Sequence, residues 1–228
     1  MSGCAVAVDG PAGSGKSSVC RGTAAQLGMK YLDTGAMYRA VTWALLDAGV
    51  DVDDAPAVAR AAQNMTVLSG TDPHAPTISV NGVEVSGPIR SAEVTAAVSA
   101  VSAVPAVREM LVAVQRAEVE TAGESGIVVE GRDIGTVVLP QAPLKIFLTA
   151  DPAVRAQRRA SEDSGRGDEA VSVEATHQAL VARDNKDSTR ADSPLMQAHD
   201  AVVVDTSSLT LDEVISEVAQ HIMLRRTS

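Results

Sequence analysis

The segment that most constrains the fold lies within the first 27 residues, where a glycine-rich loop separates an apolar run from a helical pattern. The apolar run covers residues 4–8, the helical pattern covers residues 16–27, and the loop reads Gly-x-x-x-x-Gly-Lys-Ser from Gly10 to Ser17. Glycines allow several backbone N–H groups to converge on one anion because no Cβ stands in the way. A strand, such a loop and a helix in this order predict a phosphate-binding loop within an α/β fold.

Each residue type in this loop has a part in binding a nucleotide phosphate chain. Lys16 is placed to reach the β- and γ-phosphates, and the Ser17 hydroxyl is placed to hold Mg²⁺. The helix that begins near Lys16 points its positive end at the same anion. We therefore predict that the chain binds a nucleoside triphosphate with Mg²⁺, through Gly10, Pro11, Ala12, Gly13, Ser14, Gly15, Lys16, Ser17 and Ser18.

Short apolar runs recur along the chain, at residues 30–32, 127–129, 144–148 and 201–204. They are nearly continuous rather than alternating, which is typical of strands covered on both faces. Helical patterns lie between them, at residues 36–48, 108–122, 152–161, 171–184 and 211–224. Strands that alternate with helices predict a doubly wound, five-stranded parallel sheet with flanking helices.

One region breaks this alternation. Residues 77–85 form two alternating segments around Asn81-Gly82, which is a strong hairpin signal. We predict an inserted subdomain at 64–107, built on a small antiparallel sheet, within a core made of residues 1–63 and 108–228. The alanine-rich stretches 55–62 and 92–106 have helical periodicity and are predicted to be helices.

Composition excludes several classes of protein. A formal net charge of -10 argues against a general binder of nucleic acid or of membrane surfaces, and one Trp, one Phe and two Tyr provide no stacking platform for single-stranded nucleic acid. The two cysteines and four histidines lack the spacing of a disulfide scaffold or a zinc site. With no leader pattern and no long apolar stretch, we expect a cytoplasmic protein.

A phosphate-binding loop alone does not separate switch GTPases, motor ATPases and small kinases. The guanine-reading pattern Asn-Lys-x-Asp fails, because Ser188 stands where its aspartate should be, and the nearest hydrolase-type acidic strand end carries Glu130 instead of aspartate. Arginines near the carboxyl ends of predicted strands indicate that more than one phosphate group is bound. These observations favour a small kinase.

Further segments resemble the bacterial cytidylate kinases of the nucleoside monophosphate kinase family over nearly the whole chain. Besides the glycine-rich loop, they are Leu32-Asp33-Thr34-Gly35-Ala36-Met37-Tyr38-Arg39, Val85-Ser86-Gly87-Pro88-Ile89-Arg90, Glu130-Gly131-Arg132-Asp133-Ile134-Gly135-Thr136-Val137-Val138, Lys145-Ile146-Phe147-Leu148 and Arg183-Asp184-Asn185-Lys186-Asp187-Ser188-Thr189-Arg190. The resemblance implies a P-loop NTPase-type core, an inserted lobe that binds the acceptor nucleotide, and a short lid at about 155–168.

The resemblance also implies roles for individual residues. The acceptor monophosphate, CMP, would be bound by Thr34, Tyr38, Arg39, Ser99, Arg108, Arg132, Asp133, Arg183, Asp187 and Arg190. Within this set, Arg39, Arg132 and Arg190 would grip the phosphate, Ser99, Arg108 and Asp133 would read the cytosine edge, and Arg183 and Asp187 would contact the ribose. Lid arginines would close over the transferring group, so that the catalytic residues would be Lys16, Arg132, Arg155, Arg158, Arg159 and Arg190, with Arg166 as a further lid candidate.

The expected activity is transfer of the γ-phosphoryl group of ATP to CMP and dCMP, giving ADP and CDP or dCDP in pyrimidine nucleotide metabolism. Mg²⁺ would be held by Ser17, with Glu130 acting through a bound water. Two alternatives stay open: a kinase for another small acceptor, such as a different monophosphate or shikimate, and a regulator that binds nucleotide without catalysis. We expect a monomer, because no long exposed apolar helix face is apparent.

Overall fold

The structure, a computed structural model, describes residues 4–165 and 172–226, with only the backbone described for 162–165. Within these residues the strands are β1 (Ala5–Asp9), β2 (Lys30–Asp33), β3 (Val67–Ser69), β4 (Ile78–Val80), β5 (Val83–Glu84), β6 (Ile127–Gly131), β7 (Leu144–Thr149) and β8 (Val202–Asp205). Five of them form a parallel sheet in the order β2-β6-β1-β7-β8, and the other three form a separate antiparallel sheet in the order β3-β4-β5. The predicted fold class is confirmed.

Helices cover both faces of the parallel sheet. They are α1 (Lys16–Leu27), α2 (Thr34–Asp47), α3 (Ala55–Ala62), α4 (Ala92–Ser102), α5 (Pro105–Glu120), α6 (Pro152–Gly165), α7 (Val173–Thr189) and α8 (Leu211–Arg226). On one face, α1 and α8 bury an apolar cluster against the sheet, with Val19 and Val218 among its members. On the other face, α2 and α5 bury a second cluster around Met37 and Leu111. The three layers leave the carboxyl ends of the parallel strands at one edge, where α/β proteins place their ligands.

Sequence patterns located the parallel strands to within one or two residues. Each run continues slightly beyond its apolar part, so that β1 ends at Asp9 and β6 ends at Gly131, both at the edge that carries the glycine-rich loop. The expectation that every strand is covered on both faces is wrong for β8. Val203 is 48% exposed there, on an edge strand of the sheet.

The small antiparallel sheet is part of the same hydrophobic core as the parallel sheet. Its hairpin turns at Asn81 (φ 51°) and Gly82 (φ 80°), a left-handed pair that the Asn-Gly dipeptide accommodates at little cost. Ile78 and Val80 on its buried face pack into the cluster that also contains Leu32 of β2. The lobe is therefore joined to the core by apolar contacts as well as by its two chain connections, while the boundaries 64–107 stay a prediction.

The single helix predicted at 92–106 is wrong, because the chain breaks into α4 and α5 between Ser102 and Pro105. Val104 has an extended conformation (φ -76°, ψ 119°), as expected for a residue that precedes proline, and Pro105 is the first residue of α5. As a consequence α5 begins three residues before the predicted start at Arg108 and turns by 97° away from α4. The break places Arg108 in the first turn of α5, facing inward.

The predicted lid falls on α6 and on residues that follow it. Helix α6 extends past the predicted end at residue 161, and α7 extends past 184 to Thr189, while the predicted start of that helix at 171 lies outside the described residues. Residues 166–168 of the predicted lid, including Arg166, also lie outside them.

Across the described part of the chain, no single helix is both long and apolar enough to cross a membrane. Helices α4 and α5 taken as one bent pair have the length and composition of a span.

Candidate active site

The glycine-rich loop connects β1 to α1 and turns through backbone conformations that favour glycine. Gly10, Gly13 and Gly15 have φ values of 151°, 75° and 85°. A side chain at Gly10 would also collide with the carbonyl oxygen of Leu148 at the neighbouring strand end. The loop therefore needs its glycines both for its turns and for its close approach to β7.

Lys16 lies buried inside the loop that it follows in sequence. Its Nζ donates to the carbonyl oxygen of Pro11 at 2.7 Å and to Ser14 Oγ at 3.4 Å. Burial, and then the positive charge of Arg132, lower the pKa of Lys16 to about 7. A bound polyphosphate would reverse this effect, because a negative charge favours the protonated amine.

Beside Lys16, three oxygen-bearing side chains meet at the start of α1 and the end of β6. Ser17 Oγ donates to Glu130 Oε1 at 2.7 Å, and Tyr31 OH donates to the same oxygen at 2.9 Å. Glu130 is almost fully buried, and its Oε2 has no hydrogen-bond partner among the described residues. Burial, and then the charge of Asp33, raise the pKa of Glu130 to about 7.

These groups fit a Mg²⁺ ion that is bound together with phosphate. Hydroxyl and carboxylate oxygens are the donors that Mg²⁺ prefers, and it commonly takes only one or two from the protein. Within 4–165 and 172–226, no cluster of three or more His, Cys, Asp or Glu side chains able to cage a metal occurs. The unpartnered oxygen of Glu130 would be satisfied by a water of the ion's shell.

An open cavity of about 420 Å³ lies in front of the glycine-rich loop. Of the predicted site residues, those that line it are Ala12, Gly13, Gly15, Lys16, Ser17, Ser18, Arg39, Glu130, Arg132, Arg159 and Arg183. The lining also contains Arg21, Asp33 and Arg90, for which the sequence motifs predicted no role. Arg21 lies one helical turn after Ser17, and this spacing was the signal that could have identified it.

Positive groups converge on this cavity from four elements. Arg39 comes from α2, Arg132 follows β6, Arg159 comes from α6 and Arg183 comes from α7. Burial, and then the positive charges of Arg183 and Arg159, lower the pKa of Arg39 to about 9. Burial, and then Arg132, lower the pKa of Arg183 to about 10. So many like charges in one cavity suit a ligand that carries several phosphate groups.

Next to the cavity, four predicted acceptor residues form what we call the Asp133 cluster: Tyr38, Arg108, Asp133 and Arg190. Arg108 Nη2 forms a buried ion pair with Asp133 Oδ2, and Arg190 Nη2 lies 3.8 Å from Asp133 Oδ1. The Arg108 guanidinium stands 5.4 Å from the centre of the Tyr38 ring. Tyr38 OH and Arg190 Nη2 are buried without a hydrogen-bond partner in the described part of the chain. The cluster therefore holds polar groups that a ligand can satisfy.

Other predicted acceptor residues lie around this cluster. Arg132 Nε contacts Asp187 Oδ2 at 3.2 Å, and Thr34 Oγ1 donates to the carbonyl oxygen of Glu130 at 2.7 Å. Ser99 is half-buried on α4, and its backbone carbonyl accepts from Ser102 Oγ at 3.2 Å. The roles of these residues stay predictions.

Two of the predicted lid arginines are bound to the core and do not line the cavity. Arg155 pairs with Asp184 on α7 and donates to the carbonyl oxygen of Ala12. Arg158 donates to the Thr206 hydroxyl at 2.8 Å and to the Thr206 carbonyl oxygen at 2.6 Å. Their proposed action on a transferring group stays a prediction, and in this structure Arg155 contacts the glycine-rich loop from outside.

Asp9, at the end of β1, has a structural role. Its two carboxylate oxygens each accept a backbone N–H, one from Ile134 and one from Gly135, both at 2.7 Å. These bonds hold the short π-helical turn Ile134–Val138 against the loop. Burial nevertheless raises the pKa of Asp9 to about 6.

A solved structure of a Thermus thermophilus protein, 15% identical, covers 98% of both chains with a TM-score of 0.51. At this identity the likeness concerns the fold alone.

Sequence relatives go further than the fold. A cytidylate kinase of Streptomyces avermitilis is 53% identical over 223 residues, which are 98% of this chain and 94% of that protein. A cytidylate kinase of Streptomyces coelicolor is 55% identical over 221 residues, which are 97% of this chain and 93% of that protein. The family model for cytidylate kinase matches residues 6–224. By sequence, and with the glycine-rich loop and arginine-lined cavity that such an enzyme needs, this chain belongs to the cytidylate kinase family.

Proposed function

We propose that this protein transfers the γ-phosphoryl group of ATP to CMP, and also to dCMP, forming ADP and the corresponding diphosphate. The observation that carries the proposal is the shared cavity, in which Lys16 of the donor loop and the side chains of Arg39, Arg132 and Arg183 face one space. The names of relatives that are 53% and 55% identical support the choice of acceptor. The reaction is a transfer between two anions, which repel each other unless positive groups lie between them.

In the proposed reaction, an oxygen of the acceptor phosphate attacks the γ-phosphorus of ATP. The bond from that phosphorus to the β,γ-bridging oxygen breaks, and its electron pair leaves with ADP. No general base is required, because the acceptor phosphate is already an anion. Lys16 and the arginines bind and align the two substrates, and they stabilise the charge that spreads over the transferring group.

Mg²⁺ would be held on the phosphate side by the Ser17 hydroxyl, with Glu130 positioned to accept a hydrogen bond from a bound water. When present, the ion supplies charge neutralisation at the β- and γ-phosphate oxygens. Glu130 already orients Ser17 through the 2.7 Å hydrogen bond between Ser17 Oγ and Glu130 Oε1. The protein's own contribution is to orient the Ser17 hydroxyl for the place beside Lys16 where the ion would bind.

The Asp133 cluster supports cytosine as the acceptor base. A carboxylate such as Asp133 accepts from the exocyclic amine of cytosine, and a guanidinium such as Arg108 donates to its carbonyl oxygen and ring nitrogen. Residues 64–107 form the acceptor lobe in this proposal. Arg183 and Asp187 would contact the ribose, and their tolerance of a missing 2′-hydroxyl decides whether dCMP is also used.

The test is an assay of ADP release with ATP and Mg²⁺ and, in turn, CMP, dCMP, UMP, AMP, GMP and shikimate. We expect turnover with CMP and dCMP and little with AMP or GMP. Turnover with another acceptor alone would keep the kinase and reject the cytosine-reading residues. Binding of ATP without turnover on any acceptor would favour a non-catalytic regulator.

Three further expectations belong to the proposal: action within pyrimidine nucleotide metabolism, a cytoplasmic location and a monomeric state. Sedimentation of the protein with and without nucleotides tests the last of these.

A further inference from the structure

The glycine-rich loop is held by α6, which carries most of the predicted lid, and by α7. At Ala12, the backbone N–H donates to Asp184 Oδ1 of α7 at 3.2 Å, and the carbonyl oxygen accepts from Arg155 Nη1 of α6 at 3.0 Å. Both polar backbone atoms of this one loop residue are therefore bound by side chains. Asp184 and Arg155 also form an ion pair with each other, which closes a ring around Ala12.

Apolar contacts reinforce the same junction. The side chain of Ala12 packs with Ala156 of α6 and Leu180 of α7 in a small buried cluster. Gly13 lies so close to α6 that a Cβ there would stand 3.0 Å from the carbonyl oxygen of Arg155. The loop and the two helices thus meet without intervening space.

The junction lies directly beside the groups that would bind the donor phosphates. Pro11, which precedes Ala12, accepts the 2.7 Å hydrogen bond from Lys16 Nζ, and Gly13 follows with its left-handed backbone. A shift of Ala12 would therefore change both the lysine's anchor and the direction of the N–H groups that follow. Phosphate binding by backbone groups depends on such preorganisation.

We propose that Asp184 is a positioning residue for the donor site: by binding the Ala12 N–H and Arg155 together, it holds the glycine-rich loop in the conformation that binds ATP. The proposal rests on the proposed function for the identity of the donor. It assigns to α7 a control over donor affinity that is separate from the acceptor residues on the same helix. Arg155 acts in the same unit, from the other side of the Ala12 peptide.

The experiment measures ATP affinity by calorimetry without acceptor, and the KM values for ATP and CMP, in Asp184→Asn, Asp184→Ala and the wild type. The asparagine keeps an oxygen for the Ala12 N–H but loses the charge that pairs with Arg155, so we expect a smaller effect than with alanine. For Asp184→Ala we expect the Kd and KM for ATP to rise about tenfold, as for loss of a hydrogen bond to a charged group. The KM for CMP should change less than the KM for ATP, because Asp184 contacts the donor loop directly and acts on the acceptor residue Arg183 only through its charge.

Glu174→Gln is the matched control, since Glu174 is an exposed carboxylate in the first turn of the same helix, where its Oε1 accepts a hydrogen bond from Gln178 Nε2 at 3.1 Å. An Arg155→Met and Asp184→Ala cycle adds a second readout. If the two residues act as one unit, the double variant should lose no more ATP affinity than the more impaired single variant.

Equal losses of ATP and CMP affinity, or a folded Asp184→Asn and Asp184→Ala pair with wild-type ATP affinity, would overturn the proposal. If Asp184→Ala does not fold, the asparagine variant decides alone: an unchanged Kd for ATP rejects the proposal and a raised one supports it. Failure of the proposed function would look different. A wild type that binds ATP but does not phosphorylate CMP rejects that function, while the ATP affinities of the variants still test Asp184.

Discussion

The glycine-rich loop and the Asp133 cluster are adjacent, yet they are built in different ways. The loop is one continuous segment in which Lys16 Nζ donates to the carbonyl oxygen of Pro11, five residues earlier, and α6 and α7 bind it at Ala12. The Asp133 cluster draws Tyr38, Arg108 and Arg190 from three separate helix regions, and its charged groups bind one another. The donor side is thus formed before a ligand arrives, whereas on the acceptor side a ligand must exchange bonds that the protein already makes with itself.

This difference has a physical consequence for specificity. A buried ion pair such as Arg108–Asp133 adds little net stability, but removal of one partner leaves the other charge uncompensated. A ligand that gives both Arg108 and Asp133 a new hydrogen-bond partner avoids that cost, and a ligand that binds only one of them does not. We therefore expect selectivity to reside in the Asp133 cluster and general phosphate affinity in the loop.

The largest effect is expected on the donor side, from Lys16→Met. Loss of a preorganised positive group at the phosphates should lower kcat by about 100- to 1,000-fold for every acceptor alike. Initial rates with CMP and dCMP measure this. Lys186→Met, at an exposed lysine of α7, is the control and should retain activity. A tenfold or smaller loss in Lys16→Met would contradict the assignment of Lys16 to the donor phosphates.

Next in size is Asp133→Asn on the acceptor side. The amide cannot accept in both of the directions that Arg108 and the base require, so kcat/KM for CMP should fall about 10- to 100-fold, as for loss of a bidentate base contact. The Kd for ATP should not change. Asp192→Asn, at an exposed aspartate, provides the control. Parallel losses for ATP and CMP would show that the two regions are not independent.

On the donor side, the free energy of unfolding should depend on pH through the buried carboxyl group of Glu130. The pKa of Glu130 is raised from 4.5 to about 7, by burial and then by Asp33, and is lowered in part by Lys16, Ser17 and Tyr31. Between these two pH values the folded state holds a proton that the unfolded state has released, so the free energy of unfolding should fall as pH rises, by up to about 1.4 kcal/mol per pH unit.

Urea unfolding of the nucleotide-free protein at pH 5, 6 and 7 measures this slope. Glu130→Gln should flatten it, leaving the part due to Asp9, whose pKa burial raises to about 6, and near pH 7 an opposite part due to Lys16, whose pKa burial lowers to about 7. Identical slopes in the variant and the wild type would mean that Glu130 is ionised over the whole range.

The smallest effect concerns Arg21, which lines the cavity beside the glycine-rich loop. Its Nε donates at 3.1 Å to the carbonyl oxygen of Pro73, in the loop between β3 and β4, so it ties α1 to the acceptor lobe. Arg21→Ala should raise the KM for CMP about two- to fivefold, since an exposed hydrogen bond contributes about 0.5–1 kcal/mol. Arg21→Lys separates two explanations of such a rise. If Arg21 acts through its hydrogen bond to Pro73, the lysine variant should show the same rise in the KM for CMP. If Arg21 instead contacts a phosphate, the lysine should restore the wild-type KM.

Local signals predicted most of the elements. The Gly-x-x-x-x-Gly-Lys-Ser pattern, the apolar strand runs and the Asn81-Gly82 turn each depend on neighbours in sequence, and the structure has all three where they were expected. The break between α4 and α5 also had a local signal in Pro105. It was missed because alanine and valine around it favour one continuous helix.

The directions of long side chains were not predictable in this way. Arg155 was expected to face the transferring group, but its partner Asp184 lies 29 residues away and binds it against Ala12. The two N–H groups bound by Asp9 come from residues 125 and 126 positions along the chain. Neither pairing can be predicted from spacing or periodicity, because both depend on how distant elements are arranged in the fold.

By itself, then, the sequence determined the class of fold, the phosphate-binding loop and the residues available to the site, since each of these follows from short-range sterics, periodicity and hydrogen-bonding chemistry. Only the tertiary structure decided which arginines line the cavity, which are bound to the core, and that Asp184 and Arg155 enclose Ala12. The physical reason is that a flexible charged side chain has many accessible directions, and burial beside a particular distant partner selects one of them.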